Sequence, residues 1–264
     1  IVLISFLMLV WWGKRTEALL NLKLSHTFKN TNFYWIHRIV GTALGTFSII
    51  LLAAILLAGF FGDQNTLSNP LPVTIWVLWW VGFFYFTALC VNIWNILNPW
   101  AFLFRLAELA TRKSIQLTSY PTWLGYWPSF LFFLSFVWIE LAWPHKETPA
   151  TLATVIILYS LITWTGMTIY GKWSWLKYGE CFSVVFTLIG SFSPIQICKT
   201  KGTLIIQPPA FGILGMREPS MGLVLITILL LAGLSFDGFM ATEVWLQFKT
   251  YLLNVNALDS IFQE

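Results

Sequence analysis

The cations of this chain fall in every second gap between its apolar runs, and that alternation restricts the fold more than any motif does. Lys14, Arg15, Lys23, Lys29 and Arg38 follow the first run, Arg105, Arg112 and Lys113 the third, and Lys172, Lys177, Lys199, Lys201 and Arg217 the fifth. The gaps between hold only Lys146, and Lys249 stands in the tail. Basic side chains remain on the cytoplasmic side of a polytopic protein, so the pattern both predicts repeated crossings and orients them. Composition agrees: 58% of the residues are hydrophobic and 10% charged, where soluble domains carry about 25% charged residues. The net charge of +4 is spread over membrane flanks rather than gathered in one patch, so no nucleic-acid partner is expected.

The expected fold class is all-α: a polytopic helical membrane protein with about six transmembrane helices and one interfacial or re-entrant helix, in a single transmembrane domain without a soluble one. The spans are approximately 1–12, 36–61, 71–97, 123–143, 150–170 and 221–236. The first covers about half a bilayer core and starts at Ile1 rather than Met, so upstream residues are expected. The segment 181–197 is apolar but has cations on both sides and is interrupted by Gly190 and Pro194. An interfacial or re-entrant helix on the cytoplasmic side fits this better than a crossing. The C-terminus then lies on the periplasmic side of a bacterial inner membrane. Continuous apolar runs exclude a β-barrel, whose strands alternate.

Polar residues at bilayer depth are costly and are therefore the candidate site residues. Glu140, His145 and Asp237 form a possible cluster near the outer side, where carboxylate and imidazole suit a proton or a metal ion. Their alternative role is that of ordinary interface residues. Asn92, Asn95 and Asn98 recur every third residue and predict a slowly rotating helical stripe near the inner side, with Arg105 and Glu180 at the same face. Amides in such positions more often join helices than bind a ligand. Gly41 and Gly45 form a GxxxG suited to close helix packing. Of the 16 Trp residues, Trp11, Trp12, Trp35, Trp100, Trp127, Trp143, Trp173 and Trp175 read as an interfacial belt. Trp79, Trp80, Trp94 and Trp164 lie deeper and read as core or lipid contacts.

Several chemistries find no support. Cys90, Cys181 and Cys198 form no CxxC pattern, and no disulfide is expected. Three histidines, His26, His37 and His145, do not supply a bis-histidine haem site. There is no lysine in a late span for retinal, no phosphate-binding GxxxxGK[ST] loop, and no HExxH or GxSxG. No cofactor, catalytic residue or metal is expected; bound lipids are.

A series of short motifs is shared with a known group. They are Asn98-Pro99-Trp100, Tyr120-Pro121, Leu124-Gly125-Tyr126-Trp127-Pro128 and Phe136 to Leu141, then Tyr170-Gly171, Gly179 to Val184, Ser193-Pro194 and Phe236-Asp237-Gly238. In order and spacing they resemble bacterial polytopic membrane proteins labelled as the membrane component of fenitrothion hydrolase. The likeness runs from about Ile1 to Trp245. It implies a helical inner-membrane protein working beside an exported partner. It transfers no catalytic residue and marks Glu140, Glu180 and Asp237 as positions whose surroundings match. The expected function is an inner-membrane subunit that anchors or completes a larger complex, with other membrane subunits and an exported periplasmic protein as partners. The alternatives are a carrier or channel for a small neutral solute, with a polar cavity near Asn92 and Asn95, and the membrane component of a metal-dependent hydrolase using Glu140, His145 and Asp237.

Overall fold

The computed structural model of the chain describes residues 26–28, 33–198, 203–215 and 220–254. The expected first span, 1–12, with Trp11 and Trp12, lies outside them, as do Lys199, Lys201 and Arg217. Among the described residues, five stretches are long and apolar enough to cross a bilayer: Ile39–Phe61, Pro70–Leu89, Thr122–Ala142, Pro149–Tyr170 and Met221–Met240. Each covers about 30 Å as a helix, the thickness of a hydrocarbon core. The chain is an all-α integral membrane protein.

The helices are α1 (Phe33–Phe61), α2 (Pro70–Leu89), α3 (Trp94–Leu97), α4 (Pro99–Thr111), α5 (Trp127–Ala142), α6 (Pro149–Tyr170), α7 (Lys172–Tyr178), α8 (Cys181–Gly190), α9 (Met221–Met240) and α10 (Glu243–Asn254). Local chemistry sets several boundaries. Asn69-Pro70 and Asn98-Pro99 each place an N-cap before a proline. The Asn69 and Asn98 side chains accept from the backbone N–H of Leu71 and Ala101, and a proline in the first helical position has no N–H to leave unpaired. Within α2, Val73–Gly82 is wound as a π-helix, a rare form that occurs often at functional sites.

The third span ends earlier than its apolar run. Helix α2 stops at Leu89, Val91 makes a β-bridge to Ile195, and the chain restarts as α3. The Asn92 amide explains the break. Its oxygen accepts from the Trp94 N–H at 3.0 Å and its nitrogen donates to the Phe186 carbonyl at 2.8 Å. Such local bonds compete with helical ones. The expected stripe of Asn92, Asn95 and Asn98 on one helix is thereby corrected: Asn92 lies before α3, Asn95 within it, and Asn98 caps α4.

The helix expected over 181–197 also ends early. Helix α8 stops at Gly190, and the chain turns and continues as strand β2 (Ile195–Cys198). Strand β3 (Thr203–Ile206) lies between β2 and β1 (His26–Phe28), antiparallel to both. At ten residues, α8 is about 15 Å long, half a bilayer. It is central rather than peripheral: Cys181, Phe182, Val184, Val185 and Phe186 are buried.

These elements divide the bundle into two ends. At the cation-rich end, Lys172 of α7 pairs with Glu108 of α4 at 2.5 Å, and the Leu117 N–H donates to the end of α6. Tyr120, Tyr126, Tyr170 and Tyr178 cluster there with ring centroids 5.1–5.4 Å apart. Burial and its two tyrosine neighbours push the Tyr120 phenol up to about 12. The opposite end is made of short loops, tied by the Ala150 N–H donating to the Gln64 side chain and the Trp76 indole donating to the Lys146 carbonyl.

Lipid tails are as apolar as leucine, so helices in a bilayer associate through close packing and polar bonds. Both are present. Trp79 meets the Phe182 ring edge-on at 4.5 Å and Trp80 meets Phe136 at 4.7 Å. Each such pair is worth about 0.5–1.5 kcal/mol beyond burial. A side chain at Gly45 would collide with the Phe102 ring, so α1 and α4 approach there closely, whereas Gly41 has only ordinary contact with Ile96. Trp80 and Trp94 are core residues, but so are Trp100 and Trp175. These last two are removed from the expected belt, since α4 and α7 turn them inward. Trp127 and Trp173 remain exposed.

Candidate functional site

The site is built where α4 and α8 start. Glu180 is the N-cap of α8 and serves it with both oxygens, accepting from the N–H groups of Phe182 at 3.0 Å and Ser183 at 2.7 Å. The Tyr159 hydroxyl of α6 donates to the same carboxylate, and the Asn98 amide reaches both Glu180 and Ser183 at 3.4 Å. A negative charge at a helix N-terminus is favoured by the aligned peptide dipoles, and four donors replace its water shell. Glu180 is 1% exposed. Burial pushes its carboxyl above the usual carboxylate range, against the pull of the Ser183, Tyr159 and Phe182 bonds.

Beside it, the Cys181 thiol is also buried. Burial and then the Glu180 charge push it well above its ordinary value. A thiol held in that state is a poor nucleophile. The bonds of the cluster join α4, α6 and the start of α8.

Of the five inner residues expected at this face, Asn98 and Glu180 meet. Asn92 bonds elsewhere on α8, and Asn95 and Arg105 are exposed. Tyr159 and Ser160 are the residues sequence reasoning missed. Ser160 accepts from the Trp100 indole at 2.7 Å. Their signal was an adjacent polar pair in the middle of an apolar run, Leu158-Tyr159-Ser160-Leu161.

The outer residues are placed differently. Glu140 accepts from the Trp80 indole at 2.6 Å, and the Lys146 ammonium donates to the Glu140 backbone carbonyl. Asp237 and Lys146 both stand within electrostatic reach of the Glu140 carboxylate. His145 is exposed and lies against the Trp143 ring instead. Among the described residues no three His, Cys, Asp or Glu side chains converge as metal ligands.

The Tyr159–Glu180 pair backs one wall of an open-sided cavity of about 650 Å³ bordered by α1, α2, α5 and α6. Its walls include Leu51 and Ile55 of α1, Trp76 and Trp79 of the π-helical turns, Phe132 and Phe136 of α5, and Ile156 and Tyr159 of α6. Trp94, Trp100 and Phe182 close it towards the cation-rich end. The size is typical of a ligand pocket. Phe47, Leu51, Leu158 and Ile162 line it yet are exposed, so it reaches the lipid-facing surface. Asn92 and Asn95 are not among its walls. Compared with protein-family models, curated proteins and solved structures, the chain matches none.

Proposed function

We propose that the protein is a subunit of a bacterial inner membrane that completes a larger assembly and carries no reaction of its own. The observation behind this reading is the position of α9. This 20-residue apolar helix packs on α5 along one side and leaves Met221, Ile228, Leu231 and Leu234 exposed. A span that packs on one side among the described residues offers its other face to a neighbouring chain. Near the end of that helix Asp237 is exposed, a carboxylate that is costly in hydrocarbon and at ease against a partner's polar group.

Two further points support the reading. The buried Glu180, Asn98 and Tyr159 are occupied with one another and with helix caps. The resemblance to the membrane component of fenitrothion hydrolase suggests an exported partner on the cation-poor side. The carrier reading draws on the cavity, but its apolar walls give a polar solute little to bind.

The test is a photo-crosslinking amino acid at Leu231 or Leu234 in native membranes. One discrete adduct of defined mass with a second membrane protein is expected. Adducts with lipid alone would overturn the proposal.

A further inference from the structure

We propose that the cavity between α1, α2, α5 and α6 is a binding site for one acyl chain of a membrane lipid, which enters sideways from the bilayer. Three observations lead there. The first is shape. The positions on α1 that line the cavity run from Phe47 to Ile55, about 12 Å along the helix axis at 1.5 Å per residue. The space is therefore elongated along the direction in which lipid chains lie. An apolar cavity of about 150 Å³ takes up a benzene ring, so 650 Å³ accommodates on the order of twenty carbon atoms.

The second is the chemistry of the walls. Most of the polar groups that border the space are bonded to the protein itself, while the indole N–H of Trp94, at the end nearest the cation-rich side, is buried without a partner. Ser48 and Ser135 donate to the carbonyls of Gly45 and Leu131, the Trp76 indole donates to Lys146, the Trp100 indole to Ser160, and the Tyr159 hydroxyl to Glu180. A sugar or a headgroup brings several polar atoms, which would lose their water there and find most of these donors already engaged. A bare hydrocarbon chain loses nothing.

The third is continuity with the lipid-facing surface. Phe47 and Leu51 on α1 and Leu158 and Ile162 on α6 are exposed while lining the cavity. An acyl chain thus reaches the space without its headgroup leaving the interface. Phospholipid tails surround such a site at a higher concentration than any other hydrocarbon, so mass action favours them over a prenyl chain. The π-helical turns supply the opposite wall with Trp76 and Trp79.

The experiment uses the full chain in phosphatidylcholine vesicles doped with a phosphatidylcholine that carries a photoactivatable group at the end of one acyl chain. After irradiation the adducts are mapped by peptide mass. Adducts within 74–83 and 132–139, at several-fold higher yield than on the exposed Leu231–Leu234 face, are expected. Ser135→Phe, which fills the space from α5, should reduce the cavity adducts at least about fivefold and leave those on α9 unchanged. The wild-type map decides the matter if that variant does not fold. A second arm doped with a photoactivatable polyprenyl lipid at the same fraction should give few cavity adducts. Labelling confined to α9, or cavity labelling by the prenyl probe in preference to the acyl one, would overturn the proposal.

Discussion

Glu180 and Glu140 are carboxylates at opposite ends of one bundle, and the protein holds them in opposite ways. Glu180 sits at the cation-rich end, buried, with the Phe182 and Ser183 N–H groups, the Tyr159 hydroxyl and the Asn98 amide around it. Glu140 sits at the short-loop end, partly buried, with the Trp80 indole as its hydrogen-bond donor and the charges of Asp237 and Lys146 nearby. The difference separates a group that assembles helices from one that adjusts an edge. The chain between 90 and 121 and between 171 and 215 must be folded back on itself, and Glu180 is the point where α4, α6 and α8 are joined. The loops 62–69 and 143–148 are too short to need such a centre.

The comparison breaks first at Glu180. Glu180→Ala leaves two backbone donors, a phenol and an amide without their acceptor in a buried setting. A loss of about 3–5 kcal/mol is expected, seen as a lowered thermal midpoint of the purified protein in mild detergent. Trp80→Phe removes the indole donor to Glu140 but keeps most of the ring packing, and about 1–2 kcal/mol is expected by the same measurement. Equal losses at the two ends would erase the distinction.

A smaller effect concerns pH. Burial raises the Glu180 carboxyl in the folded protein, so folding favours its protonated form. The sign follows: its contribution is full below the unfolded carboxylate range and is lost as pH rises through the raised folded value. Glu180→Gln, which cannot ionise, should therefore gain on the wild type as pH is raised from about 4.5, the ordinary value, when melting curves of the two are compared. A constant difference across pH would contradict the assignment. The smallest effect belongs to His145. It is exposed, and His145→Ala should change stability by less than about 0.5 kcal/mol. A larger loss would mean that the outer residues act as a unit.

Five of the six expected spans were legible because length and hydropathy decide whether a helix can cross a bilayer, while the first, 1–12, lies outside the described residues. Asn98 and Glu180 were legible as inner polar residues, since charge and amide groups inside apolar sequence have to find partners. What hydropathy does not encode is direction within a turn. Trp100 and Trp175 look like interface residues beside Pro99 and Lys172, yet short helices point them inward. The end of α2 was hidden for a similar reason: Asn92 stops the helix by bonding to Phe186, a residue remote in sequence. The π-helical turns of 73–82 and the cavity they border arise from packing between four helices, and no local pattern announces them.

The proposed function requires the two ends of the bundle to face opposite sides of a membrane, with the cation-rich end inside. Thiol accessibility in intact cells tests it directly. Cys90 is exposed at the cation-rich end, and Ser68 is exposed on the short loop at the other. With a membrane-impermeant maleimide, Ser68→Cys should label in intact cells, while Cys90 should label only after the membrane is opened. Labelling of Cys90 in intact cells, with Ser68→Cys protected, would contradict the account.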